Sequence, residues 1–153
     1  MKNKTTVELI SEAFINKTDM SMALGLTPKK FAQAETMAHK LYSRGKFAQA
    51  QVILQGLIST NKKRDYPYVL MGDIAFQSAL YSDALEYWKK ADEYKPNQPW
   101  TNLKLAEAYI QLGHIKPATK ALDVVLANND KNTVLLRQRA AALKSALENW
   151  KKS

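Results

Sequence analysis

The chain has 153 residues, 23 basic against 14 acidic side chains and a net charge of +9 at neutral pH. That length suits one ordinary domain with a continuous core, and the lack of cysteine excludes a disulfide scaffold and any thiolate metal site. Glu8 and Glu12 interrupt the only apolar stretch near the N-terminus, and no run approaches the ~18 apolar residues of a membrane span, so a soluble, cytoplasmic, unexported protein is expected.

In chain order, Thr5-Thr6-Val7-Glu8 has the spacing of a capping box, and Val7, Ile10 and Phe14 follow at helical intervals. A short amphipathic helix to about Asn16 is expected. Between Thr18 and Leu26 the apolar residues alternate as in a strand, but a short helix ended by Gly25 fits equally well. Thr27-Pro28 is a helix start, with Thr as the cap and Pro in the first turn. Six helices are then expected at about 28–44, 47–60, 65–78, 81–94, 99–112 and 115–127. Asn128-Asn129-Asp130 ends that series. A last helix at about 132–150 carries Leu136, Ala140, Leu143, Leu147 and Trp150 as one apolar seam.

The six middle helices are not independent. Gly45, Ala79 and Gly113 recur at a spacing of 34 residues, followed in phase by Phe47, Tyr81 and Ile115 and by Ala50, Ala84 and Ala118. Leu54, Trp88 and Leu122, then Leu57, Ala91 and Val125, keep the same register. A 34-residue period with small residues in fixed phase is the mark of the tetratricopeptide repeat, a helix–turn–helix unit that stacks into a solenoid. The expected fold is therefore all-α: a tetratricopeptide-repeat solenoid of three helical hairpins with an N-terminal helix and a C-terminal capping helix. Residues 1–27 form the N-terminal helix and linker, 28–130 the repeats (about 31–64, 65–98 and 99–130), and 131–153 the cap.

In such a repeat the first helix lines the concave surface. The core face of the three first helices is expected to hold Met37, Ala38 and Leu41, then Tyr68, Met71 and Ala75, then Leu105, Ala106 and Tyr109. A second stripe on each helix faces the groove. It comprises Glu35, His39 and Tyr42, then Tyr66, Val69, Asp73 and Phe76, then Trp100, Leu103, Glu107 and Ile110. A surface so rich in aromatic and aliphatic residues is a candidate binding site for a hydrophobic peptide segment. Asp73 and Glu107 are expected to read a basic residue of the ligand.

Other functions find little in the sequence. His39 and His114 are far apart and lack ligand-spaced partners, no nucleophile–base pair is evident, and no Gly-rich loop could hold phosphate; neither an enzyme nor a cofactor or metal is expected. Net charges of +7, −3 and +5 over residues 1–64, 65–130 and 131–153 leave the ends basic. Lys62-Lys63-Arg64 is the only basic cluster and has no interleaved aromatics, which disfavours nucleic acid. The clamp that grips C-terminal carboxylates in some repeat co-chaperones needs Lys, Arg and Asn at places held here by Glu35, His39, Leu70, Trp100 and Lys104. Only Lys104 suits it.

The whole layout resembles the class II chaperones of type III secretion translocators. Leu41-Tyr42 before Gly45-Lys46-Phe47-Ala48-Gln49-Ala50 is similar to that family's L-Y-x-x-G-K-[FY]-x-x-A segment. Gln77-Ser78-Ala79-Leu80-Tyr81-Ser82-Asp83-Ala84-Leu85 and Ala106-Glu107-Ala108-Tyr109 with Leu112-Gly113 resemble two further segments. The resemblance implies a protein that holds a hydrophobic segment of a secreted client in its groove and keeps it soluble in the cytoplasm before secretion. It also implies self-association through the N-terminal region; the C-terminal seam is a second candidate for a homodimer contact. One departure is charge, since members of that family are commonly acidic. A general repeat adaptor and a chaperone of secretion needle subunits stay open as alternatives.

Overall fold

Thr27 caps the first described helix with its own side chain: its Oγ1 accepts from the Lys30 amide at 3.3 Å, and Pro28 occupies the first turn, where no N–H is needed. The structure, a computed structural model, describes residues 25–60 and 63–150. Of the N-terminal helix and linker expected over residues 1–27, residues 1–24 lie outside that range. Seven α-helices are present among the described residues: α1 (Pro28–Ser43), α2 (Phe47–Ser59), α3 (Tyr66–Gln77), α4 (Tyr81–Tyr94), α5 (Pro99–Gln111), α6 (Ile115–Leu126) and α7 (Val134–Trp150). The described residues contain no strand. The final helix starts two residues later than expected, because Lys131–Thr133 forms a 3₁₀ turn with the Asp130 side chain accepting from the Asn132 amide.

The 34-residue period has a backbone cause. Each hairpin's first helix ends in the same left-handed residue: Gly45 (φ 71°), Ala79 (φ 59°) and Gly113 (φ 74°). The amide of each left-handed residue bonds three residues back, from Gly45 to Tyr42, Ala79 to Phe76 and Gly113 to Ile110. The next amide reaches five residues back, from Lys46 to Leu41, Leu80 to Ala75 and His114 to Tyr109, at 2.8–2.9 Å. That pair of bonds is a Schellman closure, which satisfies helix-end carbonyls and reverses the chain into the second helix.

The chain divides into two compact units, residues 1–71 and 72–153. In the first, α1 packs against α2; Phe31, Ala38, Ala50, Leu54 and Leu57 of these helices are buried, as are Leu70 and Met71 of α3. Thr60, also buried, donates its hydroxyl to the Leu57 carbonyl at 2.6 Å. Met37 does not join this core, contrary to expectation; at 52% exposure it lies on the outer side of α1.

In the second unit a continuous core gathers Ala75, Ala84, Leu85, Trp88, Ala106, Leu122 and Val125, among others. Gly72 marks its tightest approach: a Cβ built there would lie 2.3 Å from the Trp88 ring nitrogen. α7 packs on α6 and touches α5. Ala140 and Leu147 are buried, while Leu136 and Leu143 are half-buried against the same core. The seam stops there, since Trp150 is exposed.

Candidate functional site

The expected groove residues fall into both units. In the first unit, α1 supplies Glu35, His39 and Tyr42, and the start of α3 supplies Tyr66 and Val69. Arg64 makes a two-pronged bond to Glu35, with Nε to Oε1 at 2.8 Å and Nη2 to Oε2 at 2.7 Å, and lies 5.1 Å from the centre of the Phe31 ring. The hydrogen bond to Glu35 raises the affinity of the Arg64 guanidinium for its proton above the ordinary value. Tyr66 and His39 meet through the phenol oxygen and Nδ1 at 2.9 Å. The His39 ring then neighbours Tyr42, whose ring lies 5.7 Å from that of Phe47. An open pocket of about 440 Å³ is lined by Ala32, Glu35, Thr36, His39, Lys40 and Tyr66. Glu35, His39 and Tyr66 are thus brought together; Tyr42 stands behind His39, and Val69 is half-buried outside the pocket lining.

In the second unit, Asp73 and Phe76 come from the end of α3, and Trp100, Leu103, Glu107 and Ile110 from α5. Asp73 Oδ1 accepts from Trp88 Nε1 at 3.2 Å and pairs with Lys104 Nζ at 2.7 Å. The same ammonium lies 4.8 Å from the centre of the Trp100 ring and 5.4 Å from that of Trp88. Glu107 pairs with Arg139 of α7 at 2.6 Å. Both carboxylates therefore already hold a cation of their own unit. Lys104, the one residue that suits a carboxylate clamp, is likewise committed to Asp73 and two indoles.

Phe76 stacks against Tyr81 and Trp88 with ring centres 5.1 and 5.5 Å apart, and with Ile110 it packs half-buried on the core. Leu103 is only 4% exposed and belongs to that core, so it forms the floor of a surface rather than a free side chain. Trp100, at 53% exposure, is the most open of the expected groove residues of this unit. Together Trp100, Leu103, Lys104 and Glu107 face Leu135, Leu136 and Arg139 across a pocket of about 290 Å³. The α7 wall of that pocket is absent from the sequence expectation. Its signal was the Leu135-Leu136 doublet: Leu136 enters the seam, and Leu135, 77% exposed, is left outside it.

Among the described residues no group of three His, Cys, Asp or Glu side chains could hold a metal ion, and no helix is long and apolar enough to cross a membrane.

Residues 75–147 match the family model of the tetratricopeptide repeat. The fold is that of solved secretion chaperones. A T3SS complex from Aeromonas hydrophila superposes with a TM-score of 0.82 at 18% identity, covering 94% of this chain and 97% of the other. The Yersinia enterocolitica type III secretion chaperone SycD, solved with a peptide of the translocator YopD, gives 0.77 at 18% identity over 82% and 98% of the two chains. Pseudomonas aeruginosa PcrH, solved with the chaperone binding region of PopD, gives 0.76 at 25% identity over 83% and 97%. No curated protein sequence matches the chain.

Proposed function

We propose that this chain is a chaperone that holds a hydrophobic segment of a secreted translocator-type protein and keeps that client soluble in the cytoplasm until secretion. The observation that carries this reading is the likeness to SycD and PcrH, each solved with a translocator segment in place and each covered almost end to end. The side-chain arrangement supports it independently. Glu35, Asp73 and Glu107 are each neutralised by a cation of their own unit, Arg64, Lys104 and Arg139. The rest of the expected groove stripe is mostly aromatic and aliphatic. Covering an apolar client segment with such a surface removes the segment's tendency to aggregate, and later release lets it enter a membrane.

Binding in this reading uses Tyr42, Tyr66, Val69 and Phe76 with Trp100, Leu103 and Ile110, and Leu135 is added to them. It requires no catalysis and no cofactor. Self-association belongs to the same reading: SycD has been solved as an alternative dimer, and Trp150 at the end of α7 is an exposed apolar side chain open to a second copy.

The test is co-expression with the hydrophobic secreted protein that co-purifies with the chain, following that client's solubility and stoichiometric recovery. A soluble complex, lost on Trp100→Glu while the helical spectrum of the chaperone is retained, is the expected result. A client equally soluble without the chain, or recovery only of folded soluble proteins, would assign the chain to the adaptor class instead.

A further inference from the structure

The pocket between α5 and α7 divides into an apolar basin and a charged rim. Trp100, Leu103, Leu135 and Leu136 make the basin, and Lys104, Glu107 and Arg139 the rim. An apolar cavity of about 150 Å³ already admits a benzene ring, so the volume of about 290 Å³ has room for one large side chain. The three rim charges are not equivalent. Lys104 is nearly covered, its ammonium paired with Asp73 and set over two indoles. Glu107 lies beneath Arg139: its side chain is 20% exposed, against 65% for the arginine. Arg64 grips Glu35 with two nitrogens, but Arg139 gives Glu107 its Nε alone, at 2.6 Å. Among the described residues the two Nη groups of Arg139 have no partner.

We propose that Arg139 sets the client specificity of this pocket, selecting a segment whose apolar anchor is accompanied, on the same side, by an aspartate or glutamate. The proposal rests on the reading of this pocket as part of the client surface. With Nε spent, the guanidinium still offers one N–H from each Nη in parallel, a fork that fits a carboxylate. The fork also stands at a suitable distance. Leu135 and Arg139 are four residues apart on α7, which sets their Cβ atoms about 5–6 Å apart. In an extended segment, residues two apart project to one side at a separation of about 6.6–6.8 Å. A side chain seated against Leu135 therefore brings the residue two positions away to the guanidinium. A basic client residue meets the opposite situation. To reach Glu107 it must displace Arg139, and until then it faces an exposed like charge. The sign is thus opposite to the one that Glu107 suggests in the sequence.

The test titrates the full, isotope-labelled chain with three blocked peptides: acetyl-Gly-Phe-Ser-Glu-Gly-amide and its counterparts with Gln or Lys in place of Glu. The three tryptophans give three indole N–H signals in the nuclear magnetic resonance spectrum, and the one missing from Trp100→Phe reports on the pocket. The glutamate peptide is expected to move that signal with an affinity at least about threefold above that of the glutamine peptide, the scale of a partly exposed charge pair. The lysine peptide is expected to bind most weakly, and added salt to shrink the preference. In Arg139→Gln the glutamate and glutamine peptides are expected to bind alike. Glu107→Gln removes the competing carboxylate and is expected to widen the preference. Helix content is checked first in each variant. Equal affinities for the glutamate and glutamine peptides in the unaltered chain, or a preference that survives Arg139→Gln, would overturn the proposal and leave the client pocket standing. A Trp100 signal moved by none of the three peptides would remove the pocket itself from the client surface, and the proposal with it.

Discussion

Gly72 and Trp88 form a matched pair whose sizes make sense only together. The positions one repeat away from Gly72 hold Ala38 and Ala106, and those one repeat away from Trp88 hold Leu54 and Leu122; the two alanines and two leucines are fully buried. The second hairpin has exchanged a small–medium pair for a smallest–largest pair, keeping the volume roughly constant. Gly72→Ala places a methyl group against the indole, and overpacking of that kind costs about 1–3 kcal/mol, more than the ~1 kcal/mol gained in helix propensity. The double variant Gly72→Ala/Trp88→Leu restores the pairing of the other two hairpins. Urea denaturation of the two single variants and the double is expected to give a favourable coupling of at least about 1 kcal/mol. Additive effects would show that the close approach is relieved elsewhere. Ala79 offers the opposite case. It occupies the left-handed place that glycine fills in the other hairpins, a conformation costing an L-residue about 1–2 kcal/mol. Part of that cost returns through the flexibility glycine adds to the unfolded chain. Ala79→Gly is therefore expected to stabilise by about 0.5–1 kcal/mol, seen as a rise of about 1–4 °C in Tm.

At the scale of the element, α7 divides sharply along its length. Leu147 is 7% exposed and sits on the core of its unit, whereas Trp150, one turn on, is 65% exposed. Leu147→Ala is expected to cost about 2–3 kcal/mol, the lower part of the range for deleting a buried leucine side chain because a terminal helix can partly collapse into the gap. Trp150→Ala is expected to stay within about 0.5 kcal/mol. A large loss of stability from Trp150→Ala in dilute protein would reveal a contact outside the monomer. The sequence already announced most of these elements. Helix limits agree to within two residues because their signals are local: a cap at Thr27, prolines at 28 and 99, and a recurring residue that must turn left. Met37 fails for a related reason. Spacing shows which residues share a face, but not which face of an end helix meets the core.

At the scale of the molecule, what stayed hidden in the sequence is the pairing across repeats. Glu35 bonds a residue 29 positions later and Glu107 one 32 positions later, each roughly one repeat away. No local pattern encodes such partners, so Asp73 and Glu107 looked like ligand-reading charges although each is held by a cation of its own unit. The same limit hid the difference between Trp100 and Leu103, which lie on one stripe of α5 and line one pocket. One is an open platform and the other part of the core, and this separates binding from folding in a single comparison. Leu103→Glu buries a carboxylate among Ala75, Trp88 and Leu122 with no cation designed to meet it, which is expected to unfold the second unit or cost at least about 4 kcal/mol. Trp100→Glu places the same charge in the first turn of α5, where helix N-termini favour anions, and within reach of Lys104. Its stability is expected to change by less than about 1 kcal/mol, while client affinity falls at least about tenfold, corresponding to the ~1.4 kcal/mol of one aromatic anchor. Circular dichroism melting and a client titration on the two variants read the two effects separately. Equal loss of folding in both would place Trp100 in the core. Full client affinity in a folded Trp100→Glu variant would remove the α5–α7 pocket from the binding surface.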